Sequence, residues 1–256
     1  MELWSPEHAK TLLPTVAVMI AIAAILRITL GKKDLKIRMI PFQIVAIILF
    51  AIEVGKQILS FRQGYDLYHL PFHFCSLFIF MMPLMAFYKG KHKATISAIT
   101  SAICMATTFL TLAYPCLIYS AGDITNFFSN YFCFHTVAFH NLVIFGIILI
   151  VALDLHTPQP KETKAVIVFI VCFCVISATM AQLLQTNFNN FYVCNIPPLE
   201  SVRQSVQNTL GYGVAQILYI LIVSVLDILV VFGCYWLYRL LRSIFIKKER
   251  VTRLPL

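Results

Sequence analysis

Twenty residues from Phe134 to Leu153, FHTVAFHNLVIFGIILIVAL, decide the fold. At 1.5 Å per residue they reach about 30 Å, the thickness of a bilayer's hydrocarbon core. They hold no charged side chain apart from two histidines near one end. In lipid every backbone amide must find its partner within its own segment, so a run this apolar is expected to be a membrane-crossing helix.

Working outward, six further runs have the same character, at about 11 to 30, 40 to 60, 70 to 88, 94 to 113, 164 to 184 and 213 to 238. The chain of 256 residues is 60% hydrophobic and 12% charged, with a mean hydropathy of +0.84. These values lie outside the range of soluble globular domains. The expected architecture is all-α: one polytopic membrane domain over residues 1–256, a single bundle of seven transmembrane helices. The start, MELWSPEHAK, has two glutamates and no basic stretch before its apolar run, so the first segment is read as retained rather than cleaved.

The net charge of +9 does not point to nucleic acid, because the basic residues fall in short clusters between apolar runs. The first, third and fifth loops and the C-terminal tail hold 15 of the 20 lysines and arginines, from Lys32, Lys33, Lys36 and Arg38 to the tail's Arg239, Arg242, Lys247, Lys248, Arg250 and Arg253. Every second loop is therefore basic, which places the N-terminus outside and the C-terminus inside. Arg27 and Lys56 lie within segments near their ends and are expected to snorkel. The two long connections, Tyr114 to Cys133 and Gln185 to Tyr212, then fall on the outer side, the second rich in asparagine, proline and aromatics like a structured cap.

The third segment opens with YHLPFHFCSL, residues 68 to 77. Proline favours the first helical position, so Pro71 is expected to start a helix with Leu70 as its cap and Cys75 one turn inside. His73 and Cys75, two residues apart, would then point about 200° apart, and a base for the thiol must come from another helix. Counting from the inner ends, Cys75 lies 14 residues from Lys89, His140 14 from Asp154 and Glu53 15 from Arg38, a shared level about 21 Å above the inner boundary. His135, Asn141, Gln182, Gln185, Asn187 and Asn189 lie near that level or outward of it. Ionisable groups within a membrane usually face the bundle interior, so an outward-opening polar pocket is expected between the second, third, fifth and sixth segments.

Blander readings stand beside this one. Lys56, three residues after Glu53, would satisfy it as a same-helix ion pair, and His140 could simply bond within a helix contact. Asp227, in the last segment, is either a proton-relay group or a structural one. His69 and His73 have the i, i+4 spacing of a zinc pair, but Pro71 stands between them, so no metal and no cofactor is expected. Cys116, Cys133 and Cys194 lie on the outer side, where a disulfide between two of them is conceivable.

SPEHAKTLL before the first segment, HLPFHFCSL at the third, a histidine in the fifth and NFNNFYVCNIPP after the sixth together resemble the YwaF-like bacterial multi-pass membrane proteins. More distantly the chain is similar to eukaryotic transmembrane acyltransferases acting on ether phospholipids and to androgen-induced membrane lipid hydrolases. The resemblance implies a bacterial plasma-membrane protein meeting membrane phospholipids, with a nucleophile and a later histidine matched here by His140. The acyltransferase nucleophile is a cysteine directly before a histidine; Phe72 occupies that position, and Cys75 is the substitute. Three function classes follow. In a lipid acyltransferase or hydrolase, Cys75 takes the acyl chain, His140 is the base, His73 and Glu53 assist, and Asn141, Asn187 or Asn189 faces the oxyanion. The others are a proton-coupled transporter or binder and a non-enzymatic scaffold.

Overall fold

The computed structural model describes residues 3–194 and 197–252. The basic tail's Arg253 and the Asn195–Ile196 pair of the outer connection lie outside them. The elements are helical throughout: α1 (Pro6–Leu30), α2 (Leu35–Arg62), α3 (Leu77–Phe87), α4 (Lys93–Ala113), α5 (Pro115–Ile118), α6 (Ala121–Thr125), α7 (Tyr131–Ala152), α8 (Thr163–Leu184), α9 (Pro197–Leu210) and α10 (Tyr212–Thr252).

Six of the seven expected crossings are present as helices long and apolar enough to span a bilayer. The third departs from expectation. Residues 70 to 88 do not form one helix beginning at Pro71; α3 starts at Leu77, preceded by a 3-10 turn at Phe74–Ser76. From Phe74 to Phe87 this covers 14 residues, about 21 Å, less than a hydrocarbon core. Pro71 instead sits at the apex of a tight turn in which the Phe72 amide donates to the Leu70 carbonyl at 2.8 Å. His73, with extended backbone (φ −82°, ψ 152°), takes the cap position that sequence assigned to Leu70.

Non-helical backbone at this depth needs partners from neighbours. Ser177 on α8 supplies one, its hydroxyl donating to the Phe72 carbonyl at 2.7 Å. The α8–α9 connection dips inward beside it, with Phe188 and Phe191 fully buried and Phe188 edge-on to Phe72 at 5.3 Å. Its carbonyls are held from two helices: Gln182 and Gln216 both donate to Phe191 O at 2.9 Å, and the Tyr219 hydroxyl donates to Asn190 O at 2.5 Å. The connection read from sequence as a cap is therefore structured, and part of it is a plug.

Helix α4 is the most enclosed crossing. Ser97 and Ser101, and Ala98, Ala102 and Ala106, repeat every four residues and are all buried. Small side chains at that spacing let α3, α7, α8 and α10 approach its backbone closely. Helices α1 and α10 are peripheral and turn aliphatic side chains such as Ile28 and Leu229 outward, as a lipid-facing surface requires.

Candidate active site

The site grows from one face of α2. Glu53, Lys56, Gln57 and Ser60 fall at i, i+3, i+4 and i+7, which aligns them in a stripe along a helix. The Glu53 carboxylate, 4% exposed, receives the His135 Nε2 proton at 2.7 Å on one oxygen. Its other oxygen meets Lys56 Nζ at 2.8 Å and the Gln57 amide at 2.8 Å. Lys56 does not snorkel outward; its ammonium turns in to the carboxylate, as the same-helix reading required. Tyr131 closes over this stretch and donates to the Ile52 carbonyl at 2.9 Å, crossing above Gly55, where a Cβ would collide with its hydroxyl.

The α2–α3 loop seals the stripe. Gln57 donates to His69 O at 2.9 Å and accepts from the Tyr65 hydroxyl at 2.8 Å, while Ser60 Oγ meets His69 Nδ1 at 2.6 Å. The His69 ring stacks on Phe132 of α7 at 4.9 Å. His73 faces elsewhere, donating from Nε2 to Tyr68 O at 3.0 Å, with its ring against Tyr68 and Phe188. Among the described residues no three His, Cys, Asp or Glu side chains gather as a metal-ligand set.

Glu53 meets His135 and not His140 for a geometric reason. Residues five apart on a helix are rotated by about 140°, so when His135 faces α2, His140 faces away from it. His140 turns towards Tyr119 in the α5–α6 segment, with ring centroids 6.2 Å apart. Its Nδ1 donates to the Thr136 carbonyl at 2.7 Å, which leaves the lone pair of the neutral ring on Nε2. Cys75 is half-buried and packed against the core. No hydrogen bond joins Cys75 to a histidine among the described residues.

The remaining candidates divide. Asn187 is engaged in its own loop, accepting the Tyr192 and Val193 amides at 3.2 and 2.9 Å. Asn189 donates to Asp227 Oδ2 at 2.6 Å, a structural bond to the mid-helix acid, and Gln185 ends α8 in a left-handed conformation (φ 50°). Asn141 differs: its Oδ1 is sealed from solvent with no hydrogen-bond partner. Cys116 and Cys133 are free thiols, so no disulfide joins them among the described residues. Cys116 instead lies 3.8 Å from His8 Nδ1, a contact with no advance signal beyond the Ser-x-x-His start of α1.

One group outside the crossings gives a pH signature. Burial, and then the charge of Lys56, push the imidazole of His69 below its ordinary value, against the opposite pull of Asp66 and Glu53 and with the help of His135. Burial does the same to His156 in the α7–α8 loop, opposed by Glu162. A histidine whose folded pKa is depressed stabilises the fold above its unfolded pKa of about 6.5, and that stability is lost as pH falls from there towards the folded value. The melting temperature in detergent is expected to drop between pH 7 and pH 5, and His69→Gln to flatten the slope. A melting temperature that is level or rises over that interval would refute this.

The sequence model of the TMEM164 family matches residues 3–238. No curated protein and no solved structure matches the chain.

Proposed function

Since the chain belongs to the TMEM164 family, a multi-pass membrane family, we propose that it is a lipid-directed acyltransferase or hydrolase of the YwaF-like bacterial type, working in the plasma membrane with its N-terminus outside. The observation that carries the proposal is the polarity of His140, whose Nε2 is left as the proton acceptor inside a membrane-depth interior against which Cys75 also packs.

In this reading His140 Nε2 takes the Cys75 proton and the sulfur attacks the carbonyl carbon of an acyl ester. A thioester forms as the ester C–O bond breaks, and the departing alkoxide takes the proton back from the imidazolium. Water or a second lipid's hydroxyl, deprotonated by the same nitrogen, then attacks the thioester and restores the thiol. Glu53 and His135 in this reading fasten α2 to α7, the helix that carries His140. Catalytic contacts are commonly loose without substrate, and in this reading Cys75 and His140 come together when the acyl chain is bound.

The test uses purified protein in liposomes containing a phospholipid with a labelled acyl chain. Release or transfer of label should fall at least 100-fold in Cys75→Ala and in His140→Ala, and a hydroxylamine-labile acyl adduct should map to Cys75. Full turnover by Cys75→Ala would eliminate the mechanism.

A specific observation favours a second reading. Two non-helical segments, Leu70–His73 and the Phe188 plug, meet inside the bundle, an arrangement that secondary transporters use to line substrate sites. It predicts proton-gradient-driven uptake in proteoliposomes that survives Cys75→Ala.

A further inference from the structure

At the end of the bundle opposite the Glu53–His135 pair, three arginines from three helices converge on the turn that ends α7, at Leu153 and Asp154. Arg27 of α1 and Arg242 of α10 both form ion pairs with Asp154, each to a different oxygen. Arg27 also donates to Ala152 O at 3.1 Å. Arg38 of α2 donates to Leu153 O at 2.7 Å, and its Nε, sealed from solvent, has no partner among the described residues. Three guanidinium charges thus face one carboxylate and the carbonyl ends of α7. The carbonyls offset part of the surplus through the helix dipole, which amounts to roughly half a charge.

The position matters as much as the charge. Asp154 lies in the turn just beyond α7, 19 residues after His135, which puts it about 28 Å further along the helix axis. That is close to a full hydrocarbon thickness, so the cluster sits where phospholipid phosphates lie. It is reachable: the Arg27 side chain is 41% exposed and that of Asp154 25%. Aliphatic residues flank it on the outward faces, Ile25 and Ile28 on α1 and Leu240 and Leu241 on α10, all exposed. Helix α1 packs on α6 and α7, whereas α10 packs on α4, α8 and α9. Asp154 thus ties α1 to α10, two helices that otherwise pack on different neighbours.

We infer that this cluster binds the headgroup of an anionic phospholipid, its phosphodiester received by Arg27 and Arg38 and its acyl chains laid along the outward faces of α1 and α10. The chemistry is that of basic pockets between transmembrane helices at the membrane surface. A planar guanidinium presents paired donors that match two phosphate oxygens, which a lysine cannot do. The inference is independent of the proposed reaction, since this lipid is bound at the far end of the molecule and is not a substrate.

The experiment is native mass spectrometry of the full chain in neutral detergent, titrated with short-chain phosphatidylglycerol or with phosphatidylcholine of the same chain length. Phosphatidylglycerol should bind at least tenfold more tightly. Arg38→Gln and Arg27→Gln should each weaken it at least fivefold. Lys33→Gln removes the same charge from an exposed position at that end and should change it less than twofold. Asp154→Asn removes the competing carboxylate and should tighten binding at least threefold, an effect a misfolded variant would not produce. Equal affinity for the two lipids in the wild-type chain would overturn the inference. So would equal losses in Arg38→Gln and Lys33→Gln, or displacement of the lipid by an equal concentration of inorganic phosphate.

Discussion

Replacing Glu53 by alanine is expected to destabilise the protein by about 3 to 5 kcal/mol, the range for removing one partner of a buried ion pair. The reason lies in what stays behind. Lys56, with its side chain 13% exposed, and His135, at 9%, both end on that carboxylate, and Gln57 donates to it as well. Without it an ammonium and an imidazole are left facing each other in a low-dielectric interior. Glu53→Gln keeps hydrogen-bonding capacity and should cost less. Glu53→Ala combined with Lys56→Met should recover much of the loss, because the stranded charge disappears with its partner. Thermal unfolding of the purified protein in mild detergent reads all three. A Glu53→Ala protein melting within a degree or two of wild type would contradict the buried network.

The second large effect is expected at Asn189. Its amide is the hydrogen-bond donor to Asp227 at 2.6 Å, and its backbone is left-handed, φ 48°. Alanine removes the donor to a buried carboxylate, worth about 2 kcal/mol, and places an ordinary residue in a conformation costing roughly 1 kcal/mol more. The plug around Phe188 should loosen, so the melting temperature should fall and the buried Cys174, 4.0 Å from Asp227, should react faster with a membrane-permeant thiol reagent. Asp227→Asn, which leaves Asn189 an amide oxygen to donate to, should do neither. Unchanged labelling of Cys174 in Asn189→Ala would argue against a plug held by this bond.

Hydropathy alone located six crossings, because backbone pairing in lipid leaves a long apolar run no alternative to a helix. It set the start of the third helix too early, since a proline such as Pro71 commonly opens a helix. What breaks the helix there is a turn at Pro71 and a tertiary bond from Ser177, more than one hundred residues away in sequence. The depth count was partly sound. Two of its three inner markers meet, Arg38 donating to the Leu153 carbonyl beside Asp154. It put Glu53 level with His140, whereas the contact is with His135, as counting residues gives height along a helix and not azimuth around it. The α2 stripe was legible: Gln57 and Ser60 follow Glu53 at i+4 and i+7, a pattern visible once Glu53 is taken as inward-facing. The Ser60–His69 and Gln57–Tyr65 bonds were not, because a loop's return path carries no periodicity.

Both fastenings of α1 involve partners made much later in synthesis. His8 at one end donates to the Tyr119 carbonyl, 111 positions on, and Arg27 at the other pairs with Asp154, 127 positions on. A ribosome inserting this chain therefore delivers α1 to the bilayer well before α7 exists to receive it. For that interval α1 is a lone helix in lipid, with two polar side chains waiting near its two ends. Its outward residues suit that wait, since they face lipid in the finished bundle as well. The first helix into the bilayer is thus fastened at both ends only after the chain has been made as far as Asp154.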